Sequence, residues 1–552
     1  MAETSTSETT KKFDKKYVVY GLLILLILVG AYFRFYHSDY PVIGYHNWKE
    51  THYLTEARNF ARNGFFDHGF FVPEWDYPDL GTDSVGVHSD TFPTISIITA
   101  VAFKIFGESL FVARFVTILF SLGVILMMFL VVQKLFNRDD MALVAAALTA
   151  INPLLIFFGR NVQLINPALL FMLLSLYFFI DWRDSFSLKT GLLAVVFLML
   201  TGLTKYSFLI IALPMLATIP YKKLLADLKP NLKTYLIYVA IMLPLPLWFI
   251  YSKIIESRAG ITSLPSNIIE LGAIFTKSWW SIMKSYCSDN YTLLLLFASF
   301  VGLGLIYLLG KEKFGNKFTL YYAVGTLPWI IIMSSKLSQH SYHQYPVAPL
   351  VIISASYLFT VIGTNLAGMV SKGKVRGHVK YAILLLLLLL VLVPSGKATD
   401  RQFDTQFLGL DIAGEYINEY GTPGSRIIFP RGQSFGVLWH ADKKGYGIQQ
   451  PTKEQIIEAE QNGVEWVFLY QWGLSLMNDP VAWAYLEENY NLEQVSFLKQ
   501  GEQNQLVYVL LKKGGSFNEG VLNNFILNHK VEQKSYMFSG GGMELSYASA
   551  DN

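Results

Sequence analysis

A single cysteine, Cys287, stands in a chain of 552 residues. Alone it excludes an internal disulfide and any cysteine-built metal cage. Charge is scarce as well: Asp, Glu, Lys and Arg make up 15% of the residues and nearly cancel, leaving +3. That balance is too small to imply nucleic-acid binding, and the basic residues gather beside apolar runs instead. A cleavable leader is also missing from the first apolar run, from about Val18 to Phe33. It ends without a small-residue cleavage site and is expected to remain as an anchor.

Apolar residues are abundant: 53% of the chain is hydrophobic and 15% aromatic, the composition of a membrane protein. Runs of spanning length fall at Tyr17–Tyr36 and near Arg114–Phe136, Met141–Gly159, Pro167–Trp182, Thr190–Thr204, Ser207–Tyr221, Thr234–Tyr251, Tyr291–Gly310, Phe318–Ser335, Val347–Gly368 and Tyr381–Pro394. They predict a polytopic α-helical membrane protein with about eleven transmembrane helices. With the N-terminus cytoplasmic, Lys134/Arg138, Arg183/Lys189, Lys222/Lys223, Lys311/Lys313/Lys317 and Lys372/Lys374/Arg376 all fall on the inner side. This holds only if the short run Phe92–Phe106 does not cross, which makes it an in-plane or re-entrant helix of the first outer loop. The expected organisation is a disordered cytoplasmic tail at 1–16, a transmembrane domain at 17–394 with its first outer loop at 38–113, and an extracytoplasmic α/β domain at 395–552. Within that domain Leu408–Tyr420, Lys453–Gln461 and Pro480–Asn489 read as helices, and Arg426–Pro430, Val464–Tyr470, Leu492–Phe497 and Gln505–Leu511 as strands. The last stretch, around Gly540–Gly542, is expected to fray. The setting implied is a multi-pass protein of the plasma (inner) membrane.

Chemistry concentrates on the side opposite the basic loops. Asn47–Asn63 reads as one uninterrupted helix. His46, Glu50 and Tyr53 fall at i, i+4 and i+7 and share a face, presenting a carboxylate and an imidazole. The alternative is an interfacial helix whose Trp, Tyr and His only anchor at the headgroups. His52, Glu56, Arg58, Glu74, Asp76, Asp79, Asp83, His88 and Asp90 crowd the same loop. Elsewhere on that side lie Arg160 and Asn166, Lys205 at the tip of a tight hairpin, and Gln339–Pro346 with His340, His343 and Tyr345. Any one of these cations read alone is a snorkelling residue; several beside carboxylates predict an anion site. The segment Ser252–Asn290, with Trp279 and Trp280, is either a lid or an interfacial belt. The Trp residues of the tail are read first as core and second as sugar-stacking platforms.

The order of these motifs is similar to that of the GT-C glycosyltransferases, in the branch of bacterial aminoarabinose transferases and protein O-mannosyltransferases. The resemblance rests on Glu50-x-x-Tyr53…Ala57-Arg58-Asn59, Asp90-x-x-Pro93, Phe106-Gly107-x-Ser109…Ala113-Arg114, Asn152-Pro153…Arg160…Asn166-Pro167, Leu203-Thr204-Lys205-Tyr206 and His340…His343-Gln344-Tyr345-Pro346. It covers most of Tyr17–Pro394. It implies transfer of a sugar from a polyprenyl- or dolichyl-phosphate-linked donor to an extracytoplasmic glycan, lipid or protein acceptor. It also implies a first-loop carboxylate as general base: Glu50 first, Asp90 second, with His46 orienting Glu50 or acting itself. Glu50 matches the second of the family's paired acids, and Lys49 stands where the first is expected. Lys205, Arg160, Arg58, His340, His343 and Tyr345 are the candidate contacts to the donor phosphate. No cofactor is expected; a divalent metal is an open alternative, with His46, Glu50, His88 and Asp90 as its possible ligands, beside His52. A transporter or flippase of a lipid-linked saccharide is the competing function. Charges at mid-depth and an inverted repeat, which that reading requires, are not evident.

Overall fold

The computed structural model describes residues 4–82, 85–259, 272–310, 313–373, 375–500 and 503–550. Asp83, Lys311, Lys374 and the middle of the expected lid, 260–271, lie outside the described residues. The chain divides into two compact units. A helical unit takes Met1–Ser38, Arg114–Tyr251 and Ser263–Thr399, and a sheet-bearing unit takes Asp39–Ala113, Ser252–Thr262 and Asp400–Asn552. The first outer loop therefore clusters with the tail, whereas the sequence alone puts it with the membrane helices.

Among the described residues of the chain, seven helices are long and apolar enough to cross a membrane, or up to nine if each of two bent pairs is one span. About eleven were expected. Leu188–Thr204, at 17 residues, is short for a span, and Phe314–Ile332 is a continuous helix with Pro328 inside it. The first helix begins at Thr4, so the tail expected to be disordered carries helical backbone up to the first span. One bent pair, Asp139–Ile151 with Pro153–Arg160, turns by 56°. Its cause is local: Pro153 has no N–H to continue the first helix, and the Asn152 side chain caps the second by accepting from the Leu155 amide at 3.1 Å. The other pair, Tyr206–Ala217 with Tyr221–Leu228, turns by 91°. Helices Leu293–Gly310 and Ala348–Val370 pack so closely that a Cβ at Gly302 would lie 1.9 Å from the Ser354 carbonyl oxygen.

The sheet-bearing unit is a seven-stranded mixed sheet of order β2-β1-β3-β5-β4-β7-β6. Its strands are β1 (Arg426–Phe429), β2 (Lys444–Gly447), β3 (Val464–Tyr470), β4 (Tyr490–Gln500), β5 (Gln503–Lys513), β6 (Val531–Phe538) and β7 (Gly541–Ser549). β1 pairs in parallel with β2 and β3; the remaining pairs are antiparallel. The stretch expected to fray is instead the β6–β7 hairpin, held because β7 also pairs with β4. Thr94–Phe106 is a short apolar helix of this unit. The predicted helix Asn47–Asn63 forms with those bounds, but not as a surface helix. Tyr53, Leu54, Ala57 and Phe60 are buried along with its polar residues. Asn47 donates to the Gln433 carbonyl at 2.7 Å, and Arg62 pairs with Asp442 at 2.8 Å. The stretch before the helix approaches so closely that a Cβ on Gly436 would come 1.9 Å from the Val42 carbonyl oxygen.

Candidate functional site

In the helical unit, Lys205 caps the C-terminus of Leu188–Thr204 with extended backbone, because the chain breaks there into the 3₁₀ segment Tyr206–Ile211. Trp329 fixes that break by donating its indole N–H to the Ser207 carbonyl at 3.0 Å. The Lys205 ammonium lies 5.4 Å from the centre of the Tyr342 ring. His340 stacks on Tyr342 with centroids 5.4 Å apart and planes 5° apart, and His343 lies 4.6 Å from the same ring. Three of the expected phosphate contacts are therefore gathered around one aromatic ring.

The segment that carries them, Ser341–Val347, is a 3₁₀ helix pinned on several sides. Asn290 donates to the Ser341 carbonyl and to the Gln344 side chain, both at 2.9 Å, Tyr291 donates to the Gln344 carbonyl at 2.7 Å, and Tyr322 donates to the Pro346 carbonyl. Tyr345 belongs to this scaffold. It is fully buried and donates to Asn166 Oδ1 at 2.8 Å, while Asn166 donates to the Phe158 carbonyl at 2.7 Å. Its hydroxyl holds the segment instead of facing a ligand. Arg160 is buried at the end of its helix and donates to the His37 carbonyl at 2.5 Å. Arg114, which the sequence showed only as a family motif, donates to the same carbonyl at 3.1 Å. Trp279 of the expected lid is buried and donates to the Ser334 carbonyl at 2.8 Å; Trp280 is exposed.

In the sheet-bearing unit the first-loop residues separate. Glu50 and His46 are buried, Glu50 in the first helical turn and His46 at the N-cap with φ 59°. The left-handed backbone takes His46 off the regular helical face on which the sequence placed it, and its Nδ1 accepts from the Trp48 indole at 3.2 Å. Asp90 is exposed in the turn before Thr94–Phe106. Arg58 is held inside the unit by Asp76 and by Asp442 at 3.0 Å, with its guanidinium 4.9 Å from the Trp439 ring centre. That corrects its place among the phosphate contacts: two carboxylates already claim it. Trp466 is wholly buried and Trp472 donates to the Arg431 carbonyl at 2.6 Å, so these tail aromatics are core and scaffold.

What the fold brings together is a set the sequence did not single out. Glu56 Oε1 lies 2.7 Å from His52 Nε2 and 2.6 Å from His88 Nδ1, with the two ring nitrogens 3.2 Å apart. Its other oxygen accepts from Ser96 Oγ at 2.6 Å, and His52 Nδ1 meets the Tyr77 hydroxyl. Burial pushes the His52 imidazole down to about 4, against the pull of Glu56. Burial opposes ionisation of Glu56, but the imidazoles of His52 and His88 outweigh it and hold the carboxyl well below the usual carboxylate range. Burial, with Glu56 and Asp76 nearby, lifts the Tyr77 phenol well above its ordinary value. Of the expected metal ligands, His88 and His52 lie in this cluster; His46, Glu50 and Asp90 do not. The legible signal was the i, i+4 spacing of His52 and Glu56, one step round the helix from the face chosen.

A family model described as dolichyl-phosphate-mannose-protein mannosyltransferase matches residues 89–249. A search of the curated proteins by sequence finds no match. Among solved structures, the fold is similar to that of the archaeal oligosaccharyltransferase AglB from Archaeoglobus fulgidus, in complex with an inhibitory peptide and a dolichol-phosphate. Identity is 12% over 89% of this chain and 74% of that one, with a TM-score of 0.57. It is also similar to ArnT from Cupriavidus metallidurans bound to undecaprenyl phosphate, at 14% identity, 89% and 98% coverage and a TM-score of 0.53. The arabinofuranosyltransferase AftD from Mycobacteria matches at 12% identity with a TM-score of 0.51; 90% of this chain covers 40% of that one.

Proposed function

We propose that this chain, which resembles the GT-C glycosyltransferases in fold and, over residues 89–249, in sequence, moves a sugar from a polyprenyl- or dolichyl-phosphate-linked donor to an extracytoplasmic glycan, lipid or protein acceptor. The acceptor's nucleophile attacks the anomeric carbon, and the bond from that carbon to the phosphate oxygen breaks, its electron pair leaving with the lipid phosphate. Glu50 takes the acceptor's proton, with His46 and Asp90 as the other first-loop candidates. Lys205, His340 and His343 meet the negative charge that grows on the leaving phosphate, and Arg160 supplies a further cation. Arg58 and Tyr345 hold the scaffold. The transfer itself requires no metal, because a lipid phosphate is a good leaving group once its charge is met.

The observation that carries the reading is the grouping of Lys205, His340 and His343 around Tyr342, on two segments where apolar helices break. Broken helices in an apolar chain mark places where backbone and cations are kept for a polar ligand. The reading places the protein in the plasma membrane with its N-terminus cytoplasmic and its sheet-bearing unit extracytoplasmic.

The test is release of lipid phosphate from a panel of radiolabelled polyprenyl- and dolichyl-phosphate sugars by the purified chain in detergent. One donor is expected to turn over. Glu50→Gln should slow transfer by about 10²–10⁴-fold, and Lys205→Ala by roughly 10²-fold, the scale of one lost charge-stabilising group. Activity surviving Glu50→Gln hands the base to Asp90 or His46. If no donor is cleaved by folded wild type, the transferase reading fails.

A further inference from the structure

The scheme above leaves the buried cluster of the sheet-bearing unit without a task. His52 Nε2, His88 Nδ1 and Glu56 Oε1 are donor atoms of the kinds that bind borderline transition metals, and all three side chains are buried. Their spacing fits a shared ion. Tetrahedral ligands about 2.0–2.1 Å from Zn²⁺ stand roughly 3.3 Å apart, and the two nitrogens are already 3.2 Å apart. The Glu56 oxygen, at 2.6 and 2.7 Å from them, has to move back by only a fraction of an ångström.

The two ring nitrogens are also within hydrogen-bond distance of each other, so one carboxylate oxygen and two imidazole nitrogens converge on a single buried point. Glu56 Oε1 is wholly buried and lies 2.7 and 2.6 Å from the two ring nitrogens. The far atoms of two of the three groups are fixed in the manner of metal ligands. His52 Nδ1 is held by the Tyr77 hydroxyl and Glu56 Oε2 by Ser96 Oγ, which sets ring and carboxylate orientation. Trp75 stacks on His88 with centroids 5.5 Å apart and walls the cluster.

We propose that His52, Glu56 and His88 bind one divalent transition-metal ion of the Zn²⁺ class, which staples the helix Asn47–Asn63 to the loop before Thr94–Phe106. His52 and Glu56 stand one turn apart on the helix, and His88 arrives from the far end of the intervening loop. The ion cross-links that loop as a disulfide does in other chains. Its role is structural: it holds the helix that carries Glu50. The inference is independent of which lipid-linked sugar, if any, the protein uses, because its readout is metal content and not transfer.

The test uses the full chain purified in detergent, stripped with chelator and dialysed against Zn²⁺ or Co²⁺. Elemental analysis should find about one tightly held ion per chain, as expected of a three-ligand protein site, and the cobalt form should show the visible absorption of tetrahedral Co²⁺. Glu56→Gln and His88→Gln, which keep side-chain size and polarity, should lose the ion at least tenfold in affinity, and Asp90→Asn should keep it. Circular dichroism and gel filtration report whether each variant is folded. Folded wild type that takes up neither ion, or stoichiometric metal retained in both ligand variants, overturns the proposal.

Discussion

The two units use buried polar groups differently. In the helical unit they mostly pin breaks in helices, with buried Asp140, paired with Arg138 and Lys380, as a charged exception. Asn152 caps a restarted helix, Tyr345 and Asn166 lock the 3₁₀ segment, and Trp329 and Trp279 donate to single carbonyls. Even Arg34, wholly buried in the first span, is held by the Ser121 hydroxyl at 2.6 Å and by the carbonyls of Gly30, Thr149 and Ala150. In the sheet-bearing unit, charge meets charge: Arg58 with Asp76 and Asp442, Lys444 with Glu74, Lys534 with Asp411. Pinned breaks leave segments that hold a precise shape without being the core. Paired buried charges are the core's own supports, and removing one partner strands the other.

The contrast sets the scale of what mutations should do. Arg58→Met has the largest expected effect on stability. It leaves Asp76 buried without its guanidinium, which costs about 3–5 kcal/mol, seen as a fall in apparent Tm; a Tm within a degree of wild type would break the comparison. Tyr345→Phe should show the other pattern, a small loss of stability with a larger loss of activity. Loss of one buried hydrogen bond to Asn166 costs about 1–2 kcal/mol, but transfer should fall by more than the Tm suggests, because the His340–His343 segment loses its anchor. A variant that loses stability and activity in proportion would make Tyr345 an ordinary core residue.

The smallest effect concerns pH. Burial works against ionisation of Glu465, but hydrogen bonds from the Thr422 hydroxyl at 2.7 Å and amide at 3.1 Å outweigh it, so its pKa is lowered below 4.5. A carboxyl depressed on folding adds stability that is present above the unfolded value and lost as pH falls through the folded one. The sheet-bearing unit should therefore lose a small increment of stability between about pH 4.5 and lower values. In Glu465→Gln that increment should vanish; an unchanged acid slope would show that Thr422 does not hold the carboxylate.

Much of this was legible in the residues. Asn47–Asn63, Lys453–Gln461, Val464–Tyr470 and Pro480–Asn489 form with the bounds read from periodicity and caps, because those signals act over one or two turns or a single strand. Lys205 at a hairpin tip and His340 and His343 before an apolar span read as candidate phosphate contacts, and the fold groups all three around the Tyr342 ring. The misreadings share one cause. Glu56 looked like one acid among many until the fold set His88, 32 positions on, against it. Arg58 looked like a phosphate ligand until Asp442, far along the chain, turned out to pair with it. The β6–β7 hairpin looked like a fraying end because the strand that holds it, β4, is distant in sequence.

Composition and short-range pattern by themselves determined the membrane class, most of the apolar helices, the hairpin tip at Lys205 and most strands of the tail, while the break at Pro153 divides what reads in the sequence as the single run Met141–Gly159. These follow from hydrophobic period, proline geometry and capping, which act locally. Only the tertiary structure decided that the first loop and the tail form one unit, which carboxylates are consumed as ion-pair partners, and that His52, Glu56 and His88 share a point. Those outcomes depend on atoms brought within 3 Å from distant parts of the chain, and no local preference encodes such a meeting.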